Sequence, residues 1–141
     1  MIIILTGQPN SGKTTLAYAL KKQLPCAGIL DGDEIRAILD NKDYSVDGRK
    51  RNITTAFSFA KILSNNDITA ILALVSPFRE LREQLKNDNN FNVKEIYLHS
   101  TRTREGKMVN YYEPPLNNYL DIDTDIYSVE ESVTKILDYI Q

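Results

Sequence analysis

Gly7-Gln8-Pro9-Asn10-Ser11-Gly12-Lys13-Thr14 follows directly on the apolar run Ile2-Ile3-Ile4-Leu5 and opens a segment of helical period. A strand, a loop of the form G-x-x-x-x-G-K-[ST] and a helix therefore arrive in the order that a phosphate-binding loop requires. Gly7 and Gly12 let the backbone curl until successive N–H groups converge on phosphate oxygens. Lys13 adds a point charge at the outer phosphates, and Thr14 supplies a hydroxyl to a magnesium ion. The helix that follows aims the positive end of its dipole at the same anion. A bare Gly-rich turn is the plainer reading, and the strand before it and the helix after it argue against that.

Outward from the loop, apolar runs alternate with segments of helical period, the pattern of a parallel sheet covered by helices on both faces. The expected fold class is α/β, a three-layer sandwich around a five-stranded parallel sheet with the P-loop NTPase topology of nucleotide kinases. The first helix carries Leu16, Ala17, Leu20 and Leu24 on one face and stops before Pro25. Strand two is Ala27 to Leu30. Asp33 is then expected as the N-cap of a short helix through Ile35, Ile38 and Leu39. A longer helix from Arg49 to Asn65 buries Ile53, Ala56, Phe57, Ala60 and Leu63. Strand three, Ile68 to Val75, is apolar nearly throughout, as suits an interior parallel strand. Strand four runs from Val93 to Leu98 and strand five from Tyr119 to Ile122. The terminal helix opens on a capping box of Ser128 and Glu131 and is expected to bury Val129, Val133, Ile136, Leu137 and Ile140.

At 141 residues and 42% hydrophobic composition, one compact core is the expectation, a single domain over 1–141 with a lid segment at about 100–115. A formal net charge of -2 supplies no broad basic surface, which argues against nucleic acid as a partner. No apolar run approaches the roughly 20 residues needed to span a bilayer, so no membrane partner is expected. A single cysteine, Cys26, and an N-terminus without an export signal point to the cytoplasm.

In open α/β sheets ligands sit beyond the carboxyl ends of the strands, and those ends hold the polar residues of this chain. Asp31 and Asp33 flank a glycine after strand two, Ser76-Pro77-Phe78-Arg79 follows strand three, and Arg102, Arg104 and Lys107 follow strand four. Two carboxylates beside a magnesium triphosphate suit a division of labour. Asp31 is assigned to the metal together with Thr14, and Asp33 accepts a proton from an acceptor hydroxyl. Arg36 lies one turn beyond Asp33 and points to the same crevice or to solvent. Arg49 and Asn52, three apart, share a helix face and either grip an anionic acceptor or form a surface pair. His99 and Cys26 read as structural, since neither has a partner of the right type at a recognisable spacing.

Gly7 to Thr14, Leu30-Asp31-Gly32-Asp33-x-x-Arg36, Tyr44-Ser45 followed by Arg49-Lys50-x-Asn52-Ile53, Ser76-Pro77-Phe78-Arg79, Glu95-Ile96-Tyr97, Tyr112-Glu113-Pro114-Pro115 and Asp121-Ile122-Asp123-Thr124 stand in the order seen in adenylylsulfate kinases, which the chain resembles over nearly its whole length. The resemblance implies transfer of the γ-phosphoryl group of ATP, with magnesium, to the 3′-hydroxyl of adenosine 5′-phosphosulfate, an activity of sulfate assimilation. It implies Asp31 and Asp33 as the acidic pair, with Lys13 acting alongside them. Arg36, Arg49 and Asn52 become acceptor ligands, and Tyr44 stands where the family stacks a Phe on the acceptor base, an exchange that keeps the π-face. Ser76, Pro77, Phe78 and Lys107 complete the acceptor side, while Thr15 and Arg102 join Gly7 to Thr14 on ATP. A small-molecule nucleotide substrate and a homodimer are the implied partners.

The chain departs from the family pattern between strand four and Tyr112. Family members carry a longer lid there, with a second aromatic that closes on the acceptor base, and only Ser100 to Tyr111 remain here. The second stacking wall is missing unless Tyr111 or Tyr112 replaces it. A different 5′-activated nucleotide, as used in polysaccharide decoration, is therefore a rival acceptor. A phosphate loop by itself also admits a sugar or polynucleotide kinase, or a nucleotide-binding module without turnover.

Overall fold

A computed structural model describes residues 1–102 and 108–141. Five parallel strands, β1 (Ile2–Thr6), β2 (Ala27–Asp31), β3 (Thr69–Ala73), β4 (Val93–His99) and β5 (Tyr119–Asp123), form one sheet in the order β2-β3-β1-β4-β5. The helices are α1 (Lys13–Lys21), α2 (Gly32–Leu39), α3 (Val46–Asn65), α4 (Arg79–Lys86) and α5 (Val129–Ile140).

The period of two along a strand explains why the sheet is apolar on both sides. Ile3 and Leu5 of β1 face a core shared with Leu16, Ala17 and Leu20 of α1 and Val133 and Ile136 of α5. Ile2 and Ile4, one residue out of step, face a second core built with Ile35 of α2, Ile53, Ala56, Phe57 and Ala60 of α3, and Leu85 of α4. β3 divides in the same way, with Ile71 on the first side and Ala70 and Leu72 on the second. The expected three layers and five strands are present. After β1 the chain builds β2 and β3 on one side, and after β3 it crosses to β4 on the other. The loop after β1 thus lies at the reversal, where such sheets open a crevice.

Several element details differ from expectation. Asp31, and not Asp33, is the N-cap of α2: its Oδ1 accepts from Asp33 N at 2.9 Å and from Glu34 N at 3.4 Å. Asp33 is already inside the helix, because β2 runs one residue further than its apolar stretch and delivers Asp31 to the junction. Within α2 only Ile35 is buried, and Ile38 is 72% exposed. α3 starts at Val46 rather than Arg49, because the Ser45 hydroxyl accepts from Gly48 N at 3.2 Å. Gly48 weakens a helix reading on propensity, yet a Cβ there would collide with Asp43. The capping box of Ser128 and Glu131 is present, while Val129 is exposed outside the buried stripe. Among the described residues no helix is long and apolar enough to cross a membrane.

Candidate active site

Residues 7–12 link β1 to α1 through backbone that few side chains tolerate. Asn10 has φ 68° and Gly12 φ 99°, both left-handed. A Cβ on Gly7 would collide with the Leu98 carbonyl of β4, so a glycine is needed there for close approach as well as for the curl. Lys13 folds back over the loop, where Nζ donates to Gln8 O at 2.8 Å, Gly7 O at 3.0 Å and Ser11 Oγ at 3.3 Å. Burial draws its pKa from the ordinary 10.5 down to about 8, and the nearby carboxylates of Asp31 and Asp33 oppose that shift. A concave backbone at a helix N-terminus with a desolvated ammonium inside is an anion cradle, and a triphosphate fits it. Thr14 Oγ1 donates to Asp31 Oδ2 at 3.0 Å. That hydroxyl and carboxylate are hard oxygen donors, the small protein set with which magnesium is held beside phosphates and waters.

The crevice above the loop is a cavity of about 720 Å3. Its floor is Pro9, Asn10 and Gly12 to Thr15, and Asp31 and Asp33 border it from the β2–α2 junction. Its far wall holds Arg36, Tyr44, Arg49 and Asn52, with Ser76 and Pro77 from the loop after β3. Arg36 donates through Nη1 to Asn41 O and Asp43 O, both at 3.1 Å, and its guanidinium lies 4.0 Å from the centre of the Tyr44 ring. Arg49 donates to Tyr44 O at 3.2 Å, so both arginines brace the loop that carries the aromatic. Asn52 Oδ1 and Ser76 Oγ are buried without a hydrogen-bond partner among the described residues. Ser76 also has φ 46°. An orphaned buried polar atom costs about 1–3 kcal/mol, and two of them on residues that line one cavity are what a polar ligand would satisfy once the side chains turn toward it.

Residues that sequence reasoning missed stand behind this wall. Arg82 of α4 is fully buried, donating to Glu95 Oε2 at 3.3 Å, to Glu113 O at 2.6 Å and to Ser76 O. It thereby ties β4, the 113 segment and the loop after β3 together. The one available signal was its helical spacing, three residues before buried Leu85.

Other expected site residues lie elsewhere. Gln8, Ser11 and Arg102 line a separate cavity of about 290 Å3 on the β4 side of the loop, and Gly7 is buried beneath the curl. Arg102 donates to Thr124 Oγ1 at 2.7 Å, and Thr124 donates to Ser11 O at 2.9 Å, so the guanidinium reaches the phosphate loop through one hydroxyl. Phe78 does not line the main cavity, because its ring stacks on Tyr111 with centroids 5.7 Å apart. Tyr112 is held at β1, its hydroxyl 2.8 Å from Thr6 Oγ1, and burial pushes its pKa up to about 12. Neither tyrosine therefore lines the main cavity. Arg104 and Lys107 lie outside the described residues. His99, expected to have no partner, meets Asp121 Oδ1 at 2.6 Å through the β4–β5 pairing, and Cys26 is exposed.

Residues 1–109 match the family described as adenylylsulphate kinase. The adenylyl-sulfate kinase of Rippkaea orientalis is 32% identical over 161 aligned residues, covering 95% of this chain and 87% of the relative. That of Staphylococcus carnosus is 31% identical and covers 100% and 84%. The structure of the Mycobacterium tuberculosis APS kinase in complex with AMPPNP and APS has a TM-score of 0.85 to this chain, at 21% identity over 99% of this chain and 96% of that one. A sugar kinase from Janibacter reaches a TM-score of 0.73 at 13% identity, covering 99% and 93%, so likeness of fold does not choose between acceptors. An alignment of 161 positions exceeds the 141 residues present, so the relatives carry residues that this chain lacks.

Proposed function

The chain belongs to the adenylylsulphate kinase family, and from that premise we propose that it transfers the γ-phosphoryl group of Mg-ATP to the 3′-hydroxyl of adenosine 5′-phosphosulfate. It is a phosphotransferase with an alcohol group as acceptor. The observation that carries the reading is the single cavity in which the phosphate loop and acidic pair face Arg36, Arg49, Asn52 and Ser76.

Phosphoryl transfer asks a protein mainly for position and charge. The backbone N–H groups of the loop hold the phosphates, and Lys13 exchanges the Gly7 and Gln8 carbonyls for phosphate oxygens. Thr14 and Asp31 hold magnesium, which when bound neutralises charge on the phosphates. Asp33 takes the proton of the acceptor hydroxyl as that oxygen bonds to phosphorus and the bond to the ADP oxygen breaks. Arg36 and Arg49 bind the anionic end of the acceptor, Asn52 Oδ1 and Ser76 Oγ gain the partners they lack, and Tyr44 stacks on the base.

A homodimer is part of the same reading, supported by the exposed apolar side chains of Ile38, Leu39 and Val46 on adjoining elements. Residence in the cytoplasm is supported by the unpaired thiol of Cys26.

The test offers ATP, magnesium and adenosine 5′-phosphosulfate in competition with other 5′-activated nucleotides, a sugar and an oligonucleotide, and maps the product. A new 3′-phosphate on adenosine 5′-phosphosulfate in preference to the others is expected. Preference for another acceptor, or ATP binding without turnover, overturns the reading.

A further inference from the structure

Gln8 belongs by sequence to the phosphate loop, and its carbonyl accepts from Lys13 Nζ at 2.8 Å and from Ser11 N at 3.3 Å. Its side chain faces elsewhere. Nε2 donates to Val109 O at 2.9 Å, and Oε1 accepts from Val109 N at 2.9 Å. One primary amide thus grips both polar groups of a single residue 101 positions away, as a neighbouring strand would do in a ladder. Val109 is 5% exposed, so water does not substitute readily for either bond.

The gripped residue has its own connections. Tyr112 N donates to Val109 O at 3.2 Å, and Glu113 N donates to Pro77 O at 2.9 Å. Met108 and Val109 both line the cavity that holds Arg36, Tyr44 and Asn52, whereas Gln8 does not. The side chain of a phosphate-loop residue therefore fixes part of the wall of the cavity in which that loop faces Arg36, Tyr44 and Asn52.

We propose that Gln8 is a positioning residue for the acceptor, holding the Met108–Val109 wall of the cavity instead of contacting ATP. This rests on the kinase reading above. Gln8→Met keeps the length of the side chain and removes both hydrogen-bonding groups; Gln8→Glu keeps the acceptor for Val109 N and places a carboxylate oxygen against Val109 O. Gln8→Met loses both buried hydrogen bonds, and Gln8→Glu loses one and opposes two acceptors; each change is expected to raise the acceptor KM about tenfold or more, with a much smaller change in the KM for ATP. A residue that merely supports folding would not divide the two constants in this way.

A second readout is independent of turnover: the Val109 amide should exchange with solvent faster in Gln8→Met than in the wild type, while titration with Mg-ATP reports an intact phosphate loop. A rise confined to the KM for ATP, or unchanged exchange at Val109, would overturn the proposal. Absence of wild-type turnover with adenosine 5′-phosphosulfate would instead overturn the proposed function, and the exchange measurement would still decide whether the clamp exists.

Discussion

Lys13 carries an ammonium into a site that leaves it 9% exposed, and its company there is carbonyl oxygen rather than water. Its folded pKa, about 8, lies below the ordinary 10.5. The sign follows from proton counting: between about 8 and 10.5 the unfolded chain holds a proton that the folded chain has shed, so this group destabilises the fold below pH 8 and that cost fades as pH rises. The difference amounts to roughly 3 kcal/mol. Bound phosphate restores the charged form, so Mg-ATP affinity should weaken above pH 8 by up to about tenfold per unit, measured by titration calorimetry from pH 6.5 to 9.5. A flat profile would mean that the ammonium is already charged in the empty loop. Asp33, exposed and next to the capped junction, has a separable task. Asp33→Asn should leave Mg-ATP affinity within a few-fold and lower kcat by about 100-fold or more, and wild-type turnover would remove Asp33 as the base.

At the scale of the element, the start of α2 puts two demands on Asp31. It caps the helix through Oδ1 and meets Thr14 through Oδ2, so the cap and the proposed hold on magnesium share one carboxylate. Asn caps about as well as Asp but lacks the charge. Asp31→Asn is therefore expected to change stability by less than about 1 kcal/mol while raising the magnesium concentration needed for half-maximal activity. Asp31→Ala should lose about 1 kcal/mol as well. Denaturant melts combined with magnesium titrations separate the two; an unchanged magnesium requirement in both variants would leave Asp31 as a cap alone.

The whole molecule depends on a buried polar knot away from the substrates. Arg82 joins Glu95 of β4 to the carbonyls of Ser76 and Glu113, and Lys86 Nζ lies 3.4 Å from the other Glu95 oxygen. Removing one partner of a buried pair leaves charge and carbonyls unmatched. Arg82→Met is expected to cost about 3–5 kcal/mol, read from the shift of the urea midpoint at constant m. A loss below about 1 kcal/mol would mean that Lys86 and the backbone re-pair without it.

Local chemistry in the sequence determined β1, its loop and α1, because strand period, glycine placement and helix period act within a few neighbouring residues. It determined as well that the polar residues cluster at strand ends, which the parallel arrangement divides between the main crevice and a second cavity on the β4 side, where Arg102 lies. It misassigned the cap of α2, since Asp31 and Asp33 are equally good capping types and only the length of β2 decides between them. The partners of His99, Tyr112, Arg82 and Gln8 were decided by tertiary structure alone. Apart from the bond of Arg82 to the nearby Ser76 carbonyl, these contacts join separate elements, and the strand order β2-β3-β1-β4-β5 brings them together. Periodicity reports which face a residue presents, and a face acquires its neighbour only when the sheet is assembled.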